Sequence, residues 1–167
     1  MTVGADPTEA FLLRLEYVAM RLQKHAAAPP SPGLTEPDPQ SGERWEWGQV
    51  WAHLAEFVPY WMSQMRLILE APGRRQAAFG RTKADPQRIA TIERDRHQPP
   101  SDLWSRLEGQ LGEFRSFLEG LPSEAWSKKG KHPTVGTMDI RRIVEDFVVG
   151  HLEAHADQLD GLAGRSG

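Results

Sequence analysis

The chain has 167 residues, which fits one domain large enough to bury a core without disulfide or metal cross-links. Hydrophobic residues make up 39% and charged residues 26% of the chain, a balance typical of soluble globular proteins and not of disordered or membrane proteins. The formal net charge of -3 provides no overall attraction for nucleic acid or anionic lipid. The absence of cysteine excludes disulfides, thiolate nucleophiles and iron–sulfur clusters, so a metal would need His, Asp or Glu ligands.

Neither a targeting segment nor a membrane span is predicted. The N-terminus lacks a basic segment followed by an apolar run, and no window approaches the roughly 18 apolar residues of a membrane helix. We therefore expect a cytoplasmic protein with a single domain over residues 1–167. A small-molecule substrate is the expected partner, nucleic acid and membrane are not expected, and a homodimer stays open.

The first helix is predicted from Asp6 to about His25. Asp6 is the expected N-cap, Pro7 the first helical residue, and Glu9 the partner of a capping box. One apolar face is indicated by spacings of 4, 3 and 4 between Phe11, Leu15, Val18 and Leu22. Five prolines in the segment 26–42 oppose any helix and predict a long surface crossover.

The second helix is predicted from about Trp45 to Glu70, with Pro59 inside it. Its apolar residues cover more than one stripe, which indicates a central helix with neighbours on two sides. His53 lies at helical spacing from Val50 and Phe57 and therefore belongs to the buried face. Four tryptophans either line a pocket around a metal or fill the core, which is the commoner role: Trp45, Trp47, Trp51 and Trp61.

The segment 74–96 is basic and polar, with a short helix predicted over residues 86–94. It either binds an anionic ligand or forms a solvated surface loop, which is the usual role of such a run. The third long helix is predicted to begin after Pro99-Pro100 with Ser101 as its cap, and to end at Gly120 to Pro122. Its stripe contains Leu103, Leu107, Leu111, Phe114 and Leu118.

The last helix is predicted to begin near Thr137, after a loop from Lys128 to Gly136. Its inward stripe contains Ile140, Ile143, Val144, Phe147, Val148, His151, His155, Gln158, Leu159 and Leu162. In no stretch do apolar and polar residues alternate over the length of a typical strand, so no strands are predicted. Four amphipathic helices and one long crossover predict an all-α fold, a four-helix bundle.

Three histidines lie on apolar helix faces. His151 and His155 are one turn apart on one face, and His53 on a facing helix would add a third imidazole. Nitrogen ligands favour zinc or nickel over magnesium or calcium. The alternative is three core histidines, each satisfied by a backbone carbonyl.

Nearby polar residues offer supporting roles in a metal site. Glu56, three residues after His53, and Asp157 are candidates to accept a free imidazole N–H or to act as a base. Glu153 points away from the stripe and is expected to be solvated, whereas Gln158 either orients a ligand or satisfies a core amide. Motifs for nucleotide binding and serine hydrolase chemistry are absent from the sequence.

These residues resemble a known family. A histidine in the stretch WAHLAEF, a His-Pro loop and then VEDFVVGHLEAHADQL are similar to the DinB/YfiT-like superfamily of metal-binding four-helix bundles, which includes mycothiol-dependent maleylpyruvate isomerases and bacillithiol transferases. The resemblance implies that His53, His151 and His155 ligate a divalent metal, commonly zinc or nickel. It also implies an up-down-down-up bundle with a long Pro-rich crossover between helices 1 and 2.

The resemblance implies a class of activity but no single reaction. The first expectation is a thiol-dependent S-transferase or isomerase acting on a small electrophile, with a low-molecular-weight thiol as a second cofactor. The alternatives are a metal-dependent hydrolase of the same fold and a non-catalytic metal-binding bundle in a stress response. No further motif in the sequence selects catalytic or cofactor-binding residues.

Overall fold

The computed structural model describes residues 5–165 of the chain. In chain order its elements are α1 (Thr8–Ala27), α2 (Trp47–Glu70), β1 (Ala77–Ala78), α3 (Pro86–Asp95), α4 (Pro100–Glu119), a 3₁₀ turn (Ser123–Ser127), β2 (Lys129–His132), β3 (Gly136–Asp139), α5 (Ile140–Ile143), a π-helical segment (Val144–Val149) and α6 (Gly150–Arg165). We call the continuous run α5, π segment and α6 the C-terminal helix. Within residues 5–165 no helix is both long and apolar enough to cross a membrane.

Four long helices, α1, α2, α4 and the C-terminal helix, pack around one apolar core. The stripes predicted on α1 and α4 are buried throughout, and α2 contributes more buried residues than any other helix. The predominantly helical fold is therefore confirmed, as is the short helix α3. The up-down-down-up order, the parallel run of the first two helices and the single domain over residues 1–167 stay predictions.

The predicted helix starts are partly wrong. Ser101 does not cap α4, which begins at Pro100 after Pro99 with no capping side chain. The capping box predicted for α1 is also absent, although Asp6 Oδ1 accepts a hydrogen bond from the Thr8 backbone N–H at 2.9 Å. A capping box is present instead at α2, between Glu46 and Gln49, where Ser and Thr, the usual signals, are missing.

Pro59 lies in the interior of α2 without ending it. Proline has no N–H, so the carbonyl of Ala55, four residues earlier, loses its helical partner. The side chain of Gln110 on α4 donates a hydrogen bond of 2.8 Å to that carbonyl. The bond satisfies a buried acceptor and ties α4 to α2 close to the level of His53.

A small sheet contradicts the prediction that the chain has no strands. β2 pairs antiparallel with β3 and parallel with β1, so the predicted loop from Lys128 to Gly136 is largely a hairpin. The last helix consequently begins at Ile140 and not near Thr137, with Asp139 capping the backbone N–H of Arg142. Strands of two to four residues are too short for alternation to reveal.

The C-terminal helix widens into a π segment just before the two histidines. The wider turn buries the consecutive residues Val148 and Val149 completely, which one narrow α-helical stripe does not do. Gly150 follows, and a Cβ atom at this position would lie 2.5 Å from the carbonyl oxygen of Glu145. Glycine is thus required where the backbone of the π segment approaches closely.

We predict that Gly150→Ala lowers the free energy of unfolding by about 1–3 kcal/mol, because the new methyl group displaces the backbone of the π segment. Urea denaturation measures the change. Gly109→Ala on α4 is the matched control, since a Cβ there meets nothing within 4 Å. The control should be stabilised by about 0.5–1 kcal/mol. Equal stabilisation of both variants would contradict the close contact at Gly150.

Candidate metal centre

The structure brings the three predicted histidines together. His53 extends from α2, and His151 and His155 extend from successive turns of α6. His151 Nε2 lies 2.9 Å from His53 Nε2 and 2.8 Å from His155 Nε2. His53 is 3% and His155 7% exposed, whereas His151 between them is only partly buried. The ligand role of the three histidines stays a prediction, but the spatial cluster on which that role depends is present.

The contacts between the rings fit an ion better than a hydrogen-bond network. A ring nitrogen carries one proton or one lone pair, so His151 Nε2 cannot complete strong hydrogen bonds to both neighbours. A divalent ion would use the lone pairs of all three nitrogens at once.

Glu56 lies behind His53. Its Oε2 is 2.8 Å from His53 Nδ1, although the ring N–H does not point directly at that oxygen. Arg81 Nη2 donates to both Glu56 oxygens, at 2.6 and 2.7 Å. Burial raises the pKa of Glu56, and the guanidinium of Arg81 opposes that rise. The expected role of Glu56 beside the ligand therefore has a structural basis.

Gln158 orients His155. Its Oε1 accepts a hydrogen bond from His155 Nδ1 at 2.7 Å. Because a carbonyl oxygen only accepts, Nδ1 carries the proton and Nε2 keeps its lone pair facing the other two rings. Of the two roles considered for Gln158, the orienting role is the one that this contact supports.

The three imidazoles are held neutral by their surroundings. Burial lowers the pKa of His53 and of His151 well below the ordinary value, and it lowers the pKa of His155 to about 4. A proton on a neighbouring histidine would repel a second one, which lowers the pKa of His53 and of His151 further. Neutral rings at physiological pH are the form that binds metal.

A cavity of about 50 Å³ adjoins the histidine cluster. On one side its wall is the segment 35–45, which we call the cover loop. Residues 35–42 of this loop belong to the stretch predicted as a surface crossover, whereas Trp45 was predicted to begin the second helix, which instead begins at Trp47. Trp45 at the end of this loop stacks on His155, with ring centres 5.9 Å apart and planes 9° apart. Lys83 and Arg88 also line the cavity. The Pro-rich segment therefore forms part of the site.

Other predicted site residues lie elsewhere. Asp157 pairs with Arg21 on the exposed surface and so does not support a ligand. Glu153, which was expected to be solvated, points away from the cluster and pairs with Arg14. Of the four tryptophans on or before α2, Trp45 lines the cavity, and the other three are buried in the core, namely Trp47, Trp51 and Trp61. Trp45 therefore has the first of the two roles considered, lining a pocket beside the candidate metal site, and the other three tryptophans have the second role, filling the core.

The basic segment contains residues that the sequence analysis did not assign to the site. The prediction of a solvated surface loop is correct for Arg74 and Arg75, which are exposed. It is wrong for Arg88, which is 6% exposed, and for Arg81, whose side chain is 9% exposed. A run of charges has no periodicity that marks which members turn inward. The one available signal was the short amphipathic helix over residues 86–94.

His132 was expected in a loop and is instead buried at the end of β2. Its Nε2 donates to the backbone carbonyl of Arg81 at 3.2 Å, and its Nδ1 accepts from the backbone N–H of Val135 at 3.2 Å. Gly80, at φ 93°, allows this approach, because a Cβ there would lie 2.3 Å from the imidazole. His132 thereby holds the backbone of the arginine that binds Glu56.

Comparison with known proteins agrees with the arrangement. Residues 14–159 match the sequence model of the DinB superfamily. The chain belongs to this superfamily. The resemblance inferred from the histidine stretches is therefore confirmed. No curated protein sequence matches the chain.

Two solved structures show the same fold at low sequence identity. YfiT from Bacillus subtilis, described as a probable metal-dependent hydrolase with an unusual four-helix bundle topology, is 18% identical with a TM-score of 0.77, over 97% of this chain and 89% of that one. A variant of the mycothiol-dependent maleylpyruvate isomerase is 13% identical with a TM-score of 0.68, over 95% of this chain. This DinB domain spans 63% of the isomerase chain.

We predict that Glu56→Gln weakens metal binding by about 10–100-fold, because the neutral amide no longer polarises His53 or pairs with Arg81. Competition against a chromogenic chelator measures the affinity. Glu153→Gln is the matched control, since Glu153 lies between two of the histidines in sequence yet pairs with Arg14 away from the cluster. Equal affinities in the two variants would contradict a role for Glu56.

The stability of the metal-free protein should depend on pH. The folded state lowers the pKa of His155 from 6.5 to about 4, so the unfolded chain binds this proton more readily. The corresponding stability is fully present above pH 6.5 and is lost as the pH falls from 6.5 towards 4. Urea denaturation at pH 7 and pH 5 should show that His155→Gln reduces the loss by about 1–2 kcal/mol. An unchanged loss would contradict the lowered pKa.

Proposed function

We propose that this protein is a divalent-metal-dependent enzyme in which His53, His151 and His155 hold one zinc or nickel ion. The observation that carries the proposal is the convergence of three Nε2 atoms beside a cavity. Structural zinc sites use four protein ligands, whereas catalytic sites keep a position open. Within residues 5–165 the cluster comprises these three side chains, which supports an open site.

The side chains around the cluster have distinct roles in this proposal. When bound, a divalent ion lowers the pKa of a coordinated water or thiol, so that a nucleophile forms near neutral pH. Glu56 and Gln158 hold two of the rings in place, and Trp45 shields the cavity from bulk water. Glu43 lines the cavity, and its Oε2 accepts the Trp45 indole N–H at 3.0 Å, which leaves Oε1 to receive a proton.

The first candidate reaction is thiol-dependent S-transfer or isomerisation of a small electrophile. Three neutral imidazoles would leave the full charge of a bound divalent ion available to lower the pKa of a thiol. Trp45, which lines the cavity and stacks on His155, supplies an aromatic wall against which a small electrophile can pack. A low-molecular-weight thiol would be the second substrate.

The second candidate reaction is hydrolysis, and the size of the cavity favours it. The cavity measures about 50 Å³, whereas one water needs about 10–15 Å³. Water therefore enters without movement of the cover loop, while a thiol bearing a large substituent needs that loop to open. Glu43 would act as the base for the attacking water. A metal-binding bundle without catalysis is the remaining alternative.

We predict that purified protein holds one ion per chain and that His151→Ala loses both the ion and turnover. Elemental analysis measures the ion. Two probe reactions separate the candidates: transfer of N-acetylcysteine to 1-chloro-2,4-dinitrobenzene, and hydrolysis of p-nitrophenyl acetate. His97→Ala, which removes an exposed histidine, should leave ion content and turnover unchanged.

Each outcome selects one alternative. Turnover of the dinitrobenzene only with the thiol supports transfer, and ester hydrolysis without a thiol supports the hydrolase. A stoichiometric ion with neither reaction supports the non-catalytic bundle. Equal ion content in the wild type and in His151→Ala would overturn the metal site itself.

A further inference from the structure

Arg88, the third residue of α3, is a buried cation. Its backbone N–H donates a hydrogen bond of 2.8 Å to Oδ1 of Asp85, the residue that caps α3. The residue is only 6% exposed. The guanidinium carbon lies 5.4 Å from the centre of the Trp45 ring, on the cavity side of the cover loop. Arg88 thus reaches the same cavity that the histidine cluster adjoins.

The guanidinium of Arg88 has few partners. Nη1 donates to the Lys83 carbonyl at 2.8 Å, which uses one of five N–H groups. No carboxylate of residues 5–165 lies within ion-pair distance of it, whereas the neighbouring cations Arg81 and Lys83 pair with Glu56 and Asp38. A buried charge without a counter-charge is unfavourable unless a ligand supplies one.

The other charges around the cavity do not neutralise Arg88. Asp38 lies 2.7 Å from Lys83, so these two groups cancel each other. Glu43 lines the cavity but accepts the indole N–H of Trp45, and it influences Arg88 only from beyond ion-pair distance. With neutral histidines and a bound divalent ion, the cavity would carry net positive charge.

We propose that Arg88 binds the anionic group of the substrate, and that this substrate is a small carboxylate whose reacting atoms lie towards the histidine cluster. The proposal rests on the proposed function, because it places the substrate between Arg88 and a metal held by the histidines. Arg88 would select substrates by charge and set their orientation in the cavity.

A carboxylate fits this position better than a phosphate ester. The planar fork of a guanidinium donates two parallel hydrogen bonds to the two oxygens of a carboxylate. The cavity of about 50 Å³ leaves more room around a planar carboxylate than around a tetrahedral phosphate group with its additional oxygens. Trp45, against which Arg88 packs, keeps the guanidinium in one orientation.

Calorimetric titration of the metal-loaded protein tests the proposal. The probes are acetate, inorganic phosphate and uncharged acetamide at constant ionic strength. Acetate should bind the wild type, and Arg88→Gln should weaken its binding by about tenfold or more. Arg74→Gln is the matched control, because it removes an exposed charge from the same basic segment. Glu43→Gln should bind acetate at least as tightly as the wild type, since it removes a competing negative charge.

Several results would overturn the proposal. Absence of acetate binding, or equal binding by wild type and Arg88→Gln, would show that Arg88 is not the anion site. Tighter Arg88-dependent binding of phosphate than of acetate would overturn the carboxylate assignment. If Arg88→Gln does not fold, Arg88→Lys decides, because it keeps the charge but loses the fork and should bind acetate several-fold more weakly.

The metal content of each protein separates this proposal from the proposed function. A wild type that binds no metal refutes the proposed function, and the same acetate titration of that metal-free protein still measures the contribution of Arg88. A metal-loaded Arg88→Gln variant that binds acetate like the wild type refutes only the role of Arg88.

Discussion

Three imidazole nitrogens directed at one another inside an apolar bundle form the contact on which the rest of the site depends. The arrangement requires neutral rings, and burial supplies that condition by lowering the pKa of all three. His151 Nε2 lies between the other two nitrogens, so one atom links α2 to α6. Each ring nitrogen carries either one proton or one lone pair, so three nitrogens this close cannot all be paired by hydrogen bonds among themselves. A divalent cation that accepts all three lone pairs would stabilise the cluster.

Support for this cluster comes from both sides of the bundle. Gln158 fixes His155 from within the same helix, while Glu56 contacts His53 and is itself held by Arg81. Arg81 in turn depends on the sheet, because His132 at the end of β2 binds its backbone carbonyl. The three short strands are therefore connected to the candidate ligand on α2 through a series of polar contacts.

The cover loop and α3 give the cavity its chemical character. The charges here are unevenly paired: Lys83, just before α3, pairs with Asp38, whereas Arg88 has no carboxylate partner among residues 5–165 and contacts the Lys83 carbonyl and the Trp45 ring. The bundle helices α2 and α6 thus contribute the candidate ligands, and the cover loop and the segment 83–88 contribute the groups that a substrate would meet. This division agrees with the general placement of binding residues on loops carried by a rigid scaffold.

The sequence by itself determined the long helices, their buried stripes and the shared face of His151 and His155, because these depend on periods of three to four residues. It also placed His53 on the buried face of α2. Only the tertiary structure decided that Arg88 turns inward, that His132 holds Arg81, and that residues 35–45 cover the cavity. These contacts join segments far apart in the chain, and no local period encodes them. The π segment and the short strands escaped prediction for a related reason, since each depends on packing against neighbours and extends over too few residues to leave a pattern.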